Sequence, residues 1–196
     1  MRTFITSLVL SVAITTQAQT FRQIEPGVYL LAAGQEDAHT PLRYKEPVAK
    51  QLKDMPTTDN PFAKEGVHIE VNARGCVVDI PLAADENIYG FGLQMGSFVQ
   101  NNKKKRPLVN DHPLKDLGYT HAPQPFYISN KGYAVLINTA RYTTFYIGTN
   151  RKNTDYTPSE DSQKAKLSTD ELYRSSTQSS SKPRVQVDIP GAKGIS

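Results

Sequence analysis

The stretch NIYGFGLQMGSFVQNNKKKRPLVNDHPLKDLGYTHAPQPFYISNKGYAVLINTARYTTFYIG, residues Asn87–Gly148, decides the fold. Its second half is a strand series: Phe126–Ser129, the turn Asn130-Lys131-Gly132, Tyr133–Asn138 and Thr144–Gly148. Alternation puts Tyr133, Val135 and Ile137 on one face, and Phe145 and Ile147 likewise, which predicts an antiparallel meander. In the first half, Ile88-Tyr89-Gly90-Phe91-Gly92 alternates glycine with aromatics. Glycine inside a strand marks a kink or a close backbone approach. This Gly-x-Gly is not a dinucleotide fingerprint, because the third glycine and the helix that should follow are missing. Between the halves lies the polar segment Gln100–Asp116, centred on Lys103-Lys104-Lys105-Arg106. Those four cations read as the solvated tip of a long hairpin loop, or as a polyanion-binding surface. Neither stacking aromatics nor a groove-entering helix flanks them, so no nucleic-acid partner is expected.

Working outward, Val67, Ile69 and Val71 alternate with His68 and Glu70. Asn72–Gly75 supplies turn chemistry and Cys76–Ile80 a second strand, so the pair predicts a hairpin with one buried face. Gly27–Leu31 is a plausible first strand, and Val185–Ile189 a last alternating one. Prolines 41, 47, 56 and 61 make Gln35–Phe62 a surface connection with one or two short strands, or a short helical turn around Pro47–Asp54. Thr149–Ser181, rich in Ser, Thr, Lys and Asp, is either a solvated loop with short edge strands or partly disordered. Many short strands without a helical period predict an all-β fold, an antiparallel β-sandwich.

The 196 residues suffice for one well-packed domain, and a net charge of +4 is too mild to define a partner. Met1–Gln19 has the form of a secretory signal: Arg2, the apolar core Phe4–Ile14, and Thr16-Gln17-Ala18 ending in a small residue. Residues 1–18 are thus expected to be a signal peptide cleaved near Ala18, with the mature chain exported to the periplasm or outside the cell. The apolar core is too short for a membrane span. The single cysteine, Cys76, leaves no internal disulfide and reads as a buried, inert thiol. His39, His68, His112 and His121 lack metal-ligand spacing, so neither a metal nor another cofactor is expected. No nucleophile elbow, Walker loop or HExxH motif occurs. Taken alone, the residues describe a binding or scaffold domain.

Several motifs in order resemble a known family. Ile88-Tyr-Gly-Phe-Gly92, the polar loop to Asn110-Asp111, His121-Ala-Pro-Gln-Pro-Phe-Tyr127, Gly132-Tyr-Ala-Val-Leu136 and Thr139-Ala-Arg-Tyr142 with Phe145-Tyr146 resemble the N-terminal domain of glycoside hydrolase family 31, the α-glucosidase and α-xylosidase family. Val185–Gly194 resembles the strand after which such enzymes enter their catalytic barrel. The resemblance implies a galactose mutarotase-like β-sandwich over residues 19–196, packed on a catalytic (β/α)8 barrel and lending one loop to the sugar site. It implies an α-glycoside as carbohydrate substrate or ligand. Retaining hydrolysis would then use two barrel aspartates that this chain does not contain, so no catalytic residue is assigned. The family's loop carries an Asn-x-Asp; here Asn110-Asp111 shifts that spacing by one. By this resemblance Asp111, with Asn110, accepts sugar hydroxyls or is an ordinary loop aspartate, and His121 lines the same face or is structural. The alternative is a stand-alone carbohydrate-binding module with a platform of Tyr119, Tyr127 or Tyr133. An exposed apolar face is expected where a barrel would dock.

Overall fold

The computed structural model describes residues 19–44, 62, 66–94, 96–109, 120–149 and 183–196. Among these the chain runs β1 (Thr20–Glu25), β2 (Val28–Gly34), the one-turn helix α1 (Pro41–Tyr44), β3 (His68–Asn72), β4 (Gly75–Pro81), β5 (Ile88–Gly90), β6 (Lys103–Lys105), β7 (Phe126–Ser129), β8 (Tyr133–Leu136), β9 (Thr144–Ile147), β10 (Arg184–Pro190) and β11 (Gly194–Ile195). Three sheets result, with strand orders β3-β4-β10-β9-β6, β5-β7-β8 and β1-β2-β11.

The five-stranded sheet owes its coherence to register. Ile69 lies opposite Val78, Val78 opposite Val187, Val187 opposite Phe145, and Phe145 opposite Lys105. Alternation at period two therefore sends one row of side chains, drawn from five strands, to the inner face. Val187 and Phe145 are fully buried, each worth roughly 1.5–3 kcal/mol of burial. The β3–β4 hairpin turns through Ala73 and Arg74, with the Arg74 N–H donating to Asn72 Oδ1 at 3.0 Å, as the Asn72–Gly75 turn signal predicts.

The three-stranded sheet β5-β7-β8 covers that inner face. Its hairpin turns through Asn130-Lys131-Gly132, with Gly132 at φ 84°. Gly90 and Gly92 stand at φ 127° and 100° on either side of Phe91, itself at φ 66°. That tight path drives the Phe91 ring into the core, 4.8 Å from Phe145 and 5.9 Å from Tyr127. A β-carbon on Gly90 would meet Phe126 O at 2.7 Å, so the expected close backbone approach is present. The result is the antiparallel β-sandwich expected from the strand pattern.

Three expectations need correction. Strand β1 went unanticipated; it forms a hairpin with β2 through Pro26-Gly27. Its two apolar residues, Phe21 and Ile24, stand three apart and all six residues are exposed, so no period-two pattern marks it. The predicted meander is broken: β7 and β8 pair, but β9 crosses to the larger sheet between β10 and β6. Phe145, Tyr146 and Ile147 are all buried, and a strand buried on both faces belongs in a sheet interior rather than at a meander's edge. Finally, Lys103–Lys105 is no loop tip but an edge strand paired with β9, and Lys105 is 1% exposed. The Pro47–Asp54 turn and nearly all of Thr149–Ser181 lie outside the described residues.

Candidate functional site

The site is built from the root of the loop that carries Asn110 and Asp111. Val109 bridges Thr120 in parallel, and Leu93 bridges His121 in antiparallel fashion. The Thr120 N–H donates to Leu108 O at 2.9 Å, and the Leu93 N–H to His121 O at 2.9 Å. The Thr120 hydroxyl lies 2.6 Å from Leu93 O and 2.9 Å from His121 O. Gly92 is required here, because a β-carbon would stand 2.5 Å from Ala122 O at φ 100°. The loop thus leaves and returns at one fixed place. Asn110 and Asp111 themselves lie outside the described residues. His121 sits at the root, half-buried, and contributes to it through its backbone carbonyl.

Two side chains stand beside this root, Lys105 from the basic run and Gln94, which the sequence reading did not single out. Lys105 extends the apolar row of the large sheet, and its Nζ donates to Gln94 Oε1 at 3.0 Å. Gln94 directly follows Leu93, so the buried cation is tied to the same bridge that holds His121. Lys104, on the opposite face, places its Nζ 5.1 Å from the centroid of the Tyr146 ring, a cation–π contact. The run of lysines is therefore split by strand alternation into two roles, and only the position of β9 reveals the split.

A second polar cluster lies beneath the three-stranded sheet. The buried Glu86 carboxylate accepts from the Ala83 N–H at 2.9 Å, from the Ser129 hydroxyl and from the Tyr133 hydroxyl. Burial, with the Glu86 carboxylate beside it, holds the Tyr133 phenol well above its ordinary range. Burial does the same for Tyr127. This corrects the aromatic platform considered for a carbohydrate-binding module. Tyr127 is fully buried and Tyr133 is half-buried with its hydroxyl committed to Glu86, while Tyr119 lies outside the described residues.

Arg141 grips Asp37 with two guanidinium nitrogens, Nη2 to Oδ1 at 2.8 Å and Nε to Oδ2 at 2.5 Å. The Arg141 hydrogen bond lowers the Asp37 pKa. The pair ties the segment after β2 to the crossover between β8 and β9. Cys76 is the inert thiol expected: it is buried against Ala192 O, and desolvation pushes its pKa up to about 11, so thiolate is scarce at neutral pH. Among the described residues no group of three or more His, Cys, Asp or Glu side chains is placed to hold a metal ion. No helix among them is long and apolar enough to cross a membrane.

Residues 16–145 match the family described as the glycosyl hydrolase 31 N-terminal galactose mutarotase-like domain. The chain belongs to that family. No curated protein matches it. The match runs from before β1 into β9 and so includes β1 to β8, the Gly90-Phe91-Gly92 path and the loop root. Strand β10 lies beyond the matched residues, yet it fills the gap between β4 and β9 with Val185, Val187 and Ile189 in the core. A family 31 N-terminal domain implies a carbohydrate-processing parent enzyme with a separate catalytic domain.

Proposed function

We propose that this chain is the N-terminal accessory domain of an exported α-glycoside hydrolase, packing on a catalytic (β/α)8 barrel and lending the Asn110–Asp111 loop to the sugar site. Family membership over residues 16–145 carries this reading. The loop root supports it physically. Paired bridges, the Gly92 approach and the Lys105–Gln94 contact fix where the loop begins and ends, and a loop on rigid strands is how a scaffold presents recognition groups. Asp111 with Asn110 would accept sugar hydroxyls, and His121 would border them from the root.

The outer face of β5-β7-β8 supports the packing. Tyr89 is opposite Ile128, Ile128 opposite Ala134, and Phe126 opposite Leu136, so all of these share the side facing away from the core. Ile128 is 49% and Leu136 40% exposed, and Phe98, against Tyr89, is 79% exposed. A contiguous apolar face of this kind marks an interaction surface.

In this reading the leader, residues 1–18, directs export and is removed near Ala18. The proposal expects no hydrolysis of aryl α-glycosides by the purified mature chain, since its role is to support a barrel's two carboxylates. Sustained release of the aglycone by this polypeptide alone would refute it.

A further inference from the structure

The first described residue makes a contact that strand pairing does not require. The Gln19 Nε2 donates to Val67 O at 2.8 Å, and the Ile69 N–H donates to Gln19 Oε1 at 3.1 Å. Strand β3 ends the five-stranded sheet, and its outer edge presents these backbone groups. The carboxamide therefore occupies the two bonds flanking His68 that the backbone of a parallel neighbour would make. Because Thr20 already pairs with Ala32 in β2, Gln19 joins the start of the small hairpin sheet to the edge of the large one. An open edge is a template for association with other chains, and this side chain closes part of it.

We propose that Gln19 is a self-protecting N-terminal residue: its clamp on the β3 edge withholds the side chain from cyclisation to pyroglutamate. The proposal rests on the reading that the leader is removed after Ala18, which makes Gln19 the residue bearing the free α-amine. An N-terminal glutamine cyclises when that amine attacks its own Cδ. The Nα–Cδ bond forms, the Cδ–Nε2 bond breaks, and Nε2 leaves as ammonia with the proton given up by the amine. No oxidant or co-reactant is needed. Here Nε2 cannot leave without giving up Val67 O, and Cδ cannot fold back on the amine without drawing Oε1 away from the Ile69 N–H. Both bonds of the clamp must break before the ring can close.

Two measurements test this. A chain beginning at Gln19, released from an N-terminal fusion partner, is incubated at neutral pH and followed by mass spectrometry for loss of one ammonia. It should cyclise about tenfold more slowly than the peptide spanning Gln19–Glu25, the factor expected when two modest hydrogen bonds must first break. Equal rates would overturn the proposal. In the second arm, Gln19→Ala should speed amide hydrogen exchange at Ile69 about tenfold and leave Val78, inside the sheet, unchanged; unaltered exchange at Ile69 would also overturn it. The N-terminus of the exported protein checks the leader separately. A start other than Gln19 refutes the leader boundary and the protective role, while the exchange arm still decides whether the clamp exists.

Discussion

The two sheets of the sandwich distribute polarity in opposite ways. The five-stranded sheet is apolar inside save for Lys105 at its edge, and carries Asp79, Arg184 and Gln186 on its outer face, where Arg184 pairs with Asp79. The three-stranded sheet encloses the Glu86–Ser129–Tyr133 cluster on its inner side and presents Tyr89, Ile128 and Leu136 outward. One sheet carries its charged pair on an outer face that is itself partly covered, with Val77 and Tyr146 buried there. The other is apolar outside, and its inner polar groups are stabilised by meeting one another and nearby backbone N–H groups. The contrast separates the part of the molecule that holds the fold from the part that presents exposed apolar surface.

Substitutions test that division. The largest effect is expected from Phe145→Ala in the large sheet, which removes a fully buried ring touching Phe91 and should cost about 3–5 kcal/mol, read as a lowered denaturation midpoint. Next comes Glu86→Ala beneath the small sheet. It leaves two hydroxyls and the Ala83 N–H without their acceptor, for a loss of about 1–3 kcal/mol by the same measurement. If this variant were as stable as the parent, the polar cluster would not support the small sheet. Smallest is the double change Ile128→Lys with Leu136→Lys on the outer face. Stability should move by no more than about 0.5 kcal/mol, while self-association of the isolated chain, followed by sedimentation, should fall. A large loss of stability there would show the face to be part of the core, and the comparison would collapse.

Strand existence was legible wherever one face is buried and the other wet, as in Val67–Val71 and Val185–Ile189. It was not legible where every residue is exposed, as in β1; β9 was read as a strand, but its place between β10 and β6 was not. Sequential strands pair more often than not, and that tendency suggested the meander that β9 breaks by joining β10. The lysine run misled for a related reason. Local charge argues for solvent, but Lys105 takes its environment from Phe145, forty residues away in sequence. At the candidate site, the Gly-aromatic alternation announced a close approach, and the structure shows what is approached: Phe126 O and Ala122 O. Gln94 gave no such signal, because a lone glutamine between Leu93 and Met95 looks the same whether it meets water or a buried ammonium.

The place of β10 has a consequence for how the chain reaches its folded state. It lies between β4 and β9, so the β3-β4 hairpin and the β9-β6 pair share no ladder until Arg184–Pro190 is available to join them. Until then two apolar strand edges stand open, at Cys76–Ile80 and Thr144–Ile147, and the contacts that close them span long stretches of sequence. Such closure is slow relative to local hairpin formation. The large sheet therefore cannot close before β10 is in place, an order that would suit the export proposed above.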